Sequence, residues 1–399
     1  MELRKIDTLL FKMLYLAEAG IVVTQVLARS SLTSTLFLLT FPLTVLLWFS
    51  AIRRTVAETD IIMIIAAVLA VVGVLLNAAA ANANIGFPYL KKMIMFIMSL
   101  LFLQTSYRMR ISEELAVFIN RIVDAVTLFL IGMYFLQYPQ MHLFHGRVTV
   151  YLTFRFTNPN LTAMFLICLY MLKMHRLFSR SKWYVKLYHI VTSLFLAWFV
   201  VETYARNCLL VLVLYTVVTS WMTLRVWKDM RVSRGWAGLF ACFPALFVAG
   251  YMALISSRWV QELLAFLVGE GKGLDSRVAI WGPALEELWN SPLIGAYYEI
   301  SQGTGSSQMH NIHLDIAVSY GILPLVLVCV LLARYLHQNG RVYTEKSKYS
   351  NVLGFACAIM LGLGEAAIFS GGLGIYILVG TFLLLANQEK TEGKDELSA

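Results

Sequence analysis

Apolar residues run in blocks separated by short polar breaks, and most blocks reach the roughly 20 residues that a helix needs to cross a bilayer. Divided at those breaks, the chain is predicted to form twelve helical spans. They lie near 8–28, 32–52, 60–78, 89–107, 114–137, 159–174, 187–204, 207–224, 236–256, 313–333, 351–369 and 371–387. Two connections are long, 138–158 and 257–312, the second falling between spans nine and ten. In the latter, "EELWNSPLIGAYYEISQGTGSS" is punctuated by Pro and clustered Gly/Ser, which predicts a short helix around 277–289 and a mobile "TGSS" end. The fold class is therefore an all-α polytopic membrane protein. Five spans fill 1–137, the remaining spans and both long outer loops fill 138–387, and a short solvated tail covers 388–399.

Composition supports this picture. The chain is 59% hydrophobic with a mean hydropathy of +0.72, above the half-apolar make-up of soluble domains. The net charge of +9 would suit nucleic acid, but no basic patch with interleaved aromatics lies outside the apolar blocks, so nucleic-acid binding is not expected. In a membrane chain, basic residues hold cytoplasmic loops in place. With the N-terminus inside, Arg4, Lys5, Arg53, Arg54, Arg108, Arg110, Arg176, Lys182, Arg334 and Lys346 all fall on the inner side. Fewer fall outside, and both termini are expected in the cytoplasm. Arg4, Lys5 and the following apolar run resemble a signal peptide, but Lys12 and Glu18 interrupt it, which reads as an uncleaved first span. Cys168, Cys208, Cys242, Cys329 and Cys357 sit in or at the ends of apolar segments. Their spacing forms neither a disulfide frame nor a zinc signature.

Ionisable residues in or beside hydrocarbon are costly and each needs a reason. Arg121 and Asp124 are three apart and are expected to pair on one helix face. Lys91 and Lys92 open the fourth span on the outer side, where they would snorkel or meet an anionic headgroup. Glu365, in "LGLGEAAIFSGG", could support a site, although helix packing explains the glycines equally well. Arg206 occupies a tight outer turn with Glu202 four residues earlier, and Arg155 precedes an Asn-Pro-Asn helix start. Arg277 follows the cap candidates Asp275 and Ser276, in a first helical turn where a cation is disfavoured by the helix dipole.

Three arginines from separate outer loops and the cluster His310, Asn311, His313 and Asp315 suggest one outward-facing anionic site. Guanidinium forks suit phosphate at any relevant pH. Imidazole suits removal of a hydroxyl proton near neutrality. Binding, transport and catalysis all remain open at this point. A metal is not expected, since His310 and His313 would share a helix face while Asp315 points elsewhere. Asn311 would cap or brace the helix start.

"DSRVAIWGPALEELWNSPLIGAYYE" and "HNIHLDIAVSYGILPL", together with "RFTNPNLTA" and "YARNCLL", resemble the signature segments of bacterial O-antigen ligases and Wzy-type O-antigen polymerases. The resemblance covers about residues 140–335. It implies a GT-C-like architecture in the bacterial cytoplasmic (inner) membrane, metal-independent and without a cofactor. The implied activity moves a glycan from an undecaprenyl-diphosphate carrier to a glycan, lipid or protein hydroxyl on the outer face. By the same resemblance His310 and Arg277 are catalytic, and Arg155, Arg206, Asn311 and His313 bind diphosphate or substrate. A transporter or flippase of lipid-linked oligosaccharide is the alternative. Such carriers place a long loop at the cytoplasmic centre, whereas the longest loop here is expected outside.

Overall fold

The computed structural model describes residues 5–145, 149–156, 158–178, 182–224, 232–255, 257, 259, 262, 275–297, 309–340, 346–370 and 374–388. Helices occupy the predicted apolar blocks: α1 (Lys5–Val26), α2 (Ser30–Ile52), α3 (Glu58–Ala80), α4 (Phe87–Arg108), α5 (Glu113–Leu136), α6 (Pro159–Met174), α7 (Trp183–Glu202), α8 (Arg206–Leu224) and α9 (Arg234–Leu254). They continue as α10 (Asp275–Asn290), α11 (Ile312–Tyr320), α12 (Ile322–Asn339), α13 (Lys346–Leu361), α14 (Ala367–Ser370) and α15 (Ile375–Ala386). The expected loop helix near 277–289 is α10. The run 303–307, the side chains of Asp275 and Ser276, and the tail from residue 389 lie outside the described residues.

Among the described residues, seven helices (α2, α3, α4, α5, α7, α9 and α12) are long and apolar enough to cross a membrane. Their outward faces carry Leu38, Leu46, Leu136 and Leu194 in the open, an apolar surface that water would not tolerate and lipid does. The chain is a helical, multi-pass membrane protein. At its centre lie α15, buried at every residue, and α6, buried along nearly its whole length. A helix that is apolar all round belongs inside a bundle, and α15 packs against α4, α6 and α13. Its 12 residues span only about 18 Å, less than a bilayer core, because neighbouring helices, not lipid, surround it.

Three features depart from the sequence reading. The first is a two-stranded antiparallel hairpin, β1 (His142–His145) with β2 (Thr149–Leu152), in the long loop after α5. The β-prone run Thr149, Val150, Tyr151 accounts for it. The second is a break in the expected span 313–333 at Gly321, whose φ of +93° ends α11. Gly321 packs flat on the backbone of Leu293, and a Cβ there would lie 2.1 Å from the Leu293 carbonyl oxygen. Ile322 N–H donates to the Pro292 carbonyl (2.8 Å) and Ala296 N–H to that of Val318 (2.9 Å), so the Pro-Leu-Ile-Gly segment is stitched into the break. Gly321→Ala combines a backbone clash with a disfavoured φ and is expected to cost at least about 2–3 kcal/mol. It should sharply lower the monodisperse yield on size-exclusion chromatography in detergent; a wild-type yield and melting temperature would contradict this packing.

The third departure lies in the expected span 351–369, which ends as helix at Leu361, followed by a non-helical connection, 362–366. Carbonyls freed by this break are taken up from three directions. Asn207 Nδ2 donates to Leu361 (3.1 Å), Ile312 N–H to Gly362 (2.8 Å) and Arg277 Nη2 to Gly364 (3.2 Å). The starts of α8, α10 and α11 thus meet at one end of the bundle.

Two expected pairings are also corrected. Asp124 does not pair with Arg121, which is exposed; it takes Lys173 Nζ (2.5 Å) and Arg176 Nη1 (2.6 Å) from the end of α6. A fully buried lysine needs its counter-ion, whereas a surface pair three apart contributes only a few tenths of a kcal/mol. Lys92 is not snorkelling either. It is buried, with Nζ 2.9 Å from Asp315 Oδ1 and 5.3 Å from the centre of the Tyr297 ring.

Candidate functional site

Glu365 is the hub at the end of the bundle where α8, α10 and α11 begin. It is almost fully buried in the connection after α13, and four partners surround it. Asn160 Nδ2 donates to Oε1 at 2.8 Å, and the Asn158 side chain lies close to the carboxylate. Arg277 Nη2 approaches to 3.7 Å, and His310 Nδ1 lies 3.2 Å from both oxygens. Burial raises the Glu365 carboxyl above its ordinary range, opposed by Asn160 and the Arg277 charge. Burial likewise lowers Arg277, against the pull of Glu365.

The order of local causes is legible. Asn158 caps α6, accepting from Asn160 N–H at 2.8 Å, with Pro159 preset for the first turn. The next residue, Asn160, is thereby aimed at Glu365. His310 sits just before α11 in the left-handed region, with φ +50°, a conformation costing about 1–2 kcal/mol. Its neighbours hold it there. Trp281 Nε1 of α10 donates to the Met309 carbonyl (2.8 Å), Met309 N–H donates to Asp315 Oδ1 (3.1 Å), and Ile312 N–H is tied to Gly362. Lys92 in turn neutralises Asp315.

Two consequences follow for chemistry. A carboxylate accepting from Nδ1–H fixes the His310 tautomer and leaves Nε2 free to take a proton, on a ring that is 26% exposed. Arg277 Nη1 is buried with no acceptor among the described residues. A buried guanidinium nitrogen lacking an acceptor is a strong donor for an incoming anion.

The other anticipated residues, Arg206 excepted, sit apart from this pair. Asn311 caps α11, its Oδ1 accepting from His313 and Leu314 N–H at 3.1 Å, while Nδ2 donates to the Pro244 carbonyl at 3.1 Å. His313 Nδ1 accepts from Ala245 N–H at 3.1 Å. Pro244 interrupts the hydrogen-bond ladder of α9, and α11 fills the gap with these two side chains. His310 and His313 therefore do not share a face as a longer helix would require, because α11 starts only at Ile312. Arg206 is exposed on the first turn of α8, with no side-chain partner among the described residues. It is placed beside the cluster because Asn207 packs on Gly364. Arg155, also left-handed at φ +62°, turns its guanidinium to the Val26 carbonyl (3.3 Å) and to Gln137 and Gln140.

Sequence reasoning did not single out Asn160 or Trp281, it gave Lys92 to the membrane surface instead of to Asp315, and it left Glu365 undecided. The usable signal was cost: a carboxyl and an ammonium group in apolar segments are retained only with partners. Comparison with protein-family models and with curated proteins finds no match to this chain.

Proposed function

We propose that this protein transfers a glycan from a polyprenyl-diphosphate carrier to a hydroxyl acceptor at the outer face of the bacterial cytoplasmic membrane, the activity of the ligases and polymerases its signature segments resemble. The reading carries with it twelve crossings in a GT-C-like arrangement, cytoplasmic termini, and the Glu365 cluster facing outward. The observation that supports it best is the pairing of an anion-ready Arg277 nitrogen with a carboxylate-held His310 around one hub.

In this mechanism His310 Nε2 accepts the proton of the acceptor hydroxyl as its oxygen attacks the anomeric carbon. The glycosidic C–O bond to the carrier breaks, and polyprenyl diphosphate leaves with the electron pair. Glu365 stabilises the imidazolium that forms. Arg277 stabilises negative charge developing on the leaving phosphate, and exposed Arg206 supplies a second cation.

The test is purified protein in lipid, given a diphosphate-linked oligosaccharide and candidate acceptors. Free polyprenyl diphosphate and a glycan product are expected, and Arg277→Ala should lower the rate about 10²–10³-fold with the protein still inserted. Movement of intact donor across vesicles without product would replace this reading with transport. Full activity in Arg277→Ala would remove the phosphate role from that residue.

A further inference from the structure

A second cleft, of about 460 Å³, lies beside the β-hairpin and is lined by Tyr138, Pro139, His142, Val150, Glu202 and Tyr204. That volume falls within the roughly 300–1,000 Å³ of small-molecule sites. Its polar floor is built. Tyr134 Oη donates to Glu202 Oε1 at 2.8 Å, and His142 Nε2 lies 3.2 Å from Glu202 Oε2. His142 Nδ1 lies 2.7 Å from the Tyr138 carbonyl, which can only accept, so Nδ1 carries a proton. The cleft thus offers donor and acceptor together.

Its walls are aromatic. Tyr138 and Tyr204 are 50% and 61% exposed, unusually open for large rings, yet both are braced. Tyr138 lies 5.2 Å from Tyr134, edge to face, and 4.4 Å from the His142 ring. Tyr204 meets Tyr151 edge to face at 5.7 Å. Tyr204 also holds a left-handed φ of +55° in the tight turn between α7 and α8, which projects its ring from a strained, fixed backbone.

We infer that this cleft is a carbohydrate subsite: the tyrosine faces stack on the C–H face of a sugar ring while Glu202 and His142 hydrogen-bond its hydroxyls. A diphosphate would bring only acceptor oxygens against the acceptor oxygens of Glu202, and a polyprenyl tail would bury the polar Glu202–His142 floor against hydrocarbon. A neutral sugar satisfies both surfaces. The location also fits. Tyr204 is three residues from Asn207, which packs on Gly364 next to Glu365, so at most about 11 Å of chain separates the cleft wall from that neighbour of the cluster. The hairpin runs on through Arg155 to Asn158, the cap of α6, and to Asn160, which is bonded to Glu365. The role of this subsite in transfer rests on the function proposed above; its sugar binding does not.

The direct test is saturation-transfer NMR on the full-length protein in nanodiscs, with methyl glycosides of glucose, galactose, mannose and N-acetylglucosamine as probes. Ring-proton signals are expected for at least one glycoside. They should be lost in Tyr204→Asn, which keeps a residue tolerant of left-handed φ, and in Tyr138→Ala. No transfer to any glycoside, or signals unchanged in both variants, overturns the subsite. In the lipid-linked assay, a rise of about tenfold in the KM of one glycan is expected for Tyr204→Asn. A rise for the acceptor assigns the cleft to the acceptor glycan, and a rise for the donor assigns it to the donor's sugar. Sugar binding without any transfer would leave the subsite standing and sink the transferase reading. Transfer with both KM values unchanged would leave the transferase reading standing and remove the cleft from it.

Discussion

Glu365→Gln is expected to lower glycan transfer about 10²–10⁴-fold while the helical bundle remains folded. The carboxylate accepts from His310 Nδ1 and Asn160 Nδ2 and balances Arg277. A glutamine of the same shape offers one acceptor and one donor. Its amide can donate to His310 Nδ1, which moves the ring proton to Nε2, the nitrogen needed as base. It also leaves the Arg277 charge without its counter-ion. His310→Asn should produce a loss of the same order, because asparagine tolerates the left-handed backbone of that position but offers no base. Initial rates in reconstituted lipid, beside melting temperatures of both variants, distinguish chemistry from unfolding. A Glu365→Gln variant that retains the wild-type rate would show that His310 is not held by the carboxylate for proton transfer.

Lys92→Met is expected to destabilise the protein by about 3–5 kcal/mol, the usual effect of breaking a buried ion pair on one side. The pair is deeply enclosed, with side-chain exposures of 8% for Lys92 and 5% for Asp315, so an orphaned Asp315 cannot recover hydration. Asp315 also accepts Met309 N–H, and Met309 precedes His310. Disorder at Asp315 should therefore reach His310. Adding Asp315→Asn removes the orphan charge while keeping an acceptor for Met309 N–H, and is expected to restore most of the melting temperature. If Lys92→Met alone melts like the wild type, the pair contributes no net stability.

Recognition of the site differed by residue, for physical reasons. His310 and Arg277 were legible because their surroundings, a helix entry and a short punctuated helix, are local in sequence. Glu365 was visible only as an expense, since its partners lie 55 and 205 residues away in His310 and Asn160. Arg155 and Arg277 look equivalent as outer-loop arginines. Only the folded chain separates them, by giving Arg155 the Val26 carbonyl and two glutamines and leaving an Arg277 nitrogen without an acceptor among the described residues.

By itself, the sequence determined that the chain is a multi-pass helical membrane protein and placed most of its helices within a few residues, the expected spans 313–333 and 351–369 excepted. Apolar block length and terminal charge act over one helix at a time, and both can be read along a line. Tertiary structure alone decided the broken helices at Gly321 and Leu361, the Lys92–Asp315 pair and the meeting of three helix starts around Glu365. Those features arise where backbone groups freed in one segment are satisfied by side chains from distant ones, a matching that depends on which helices become neighbours.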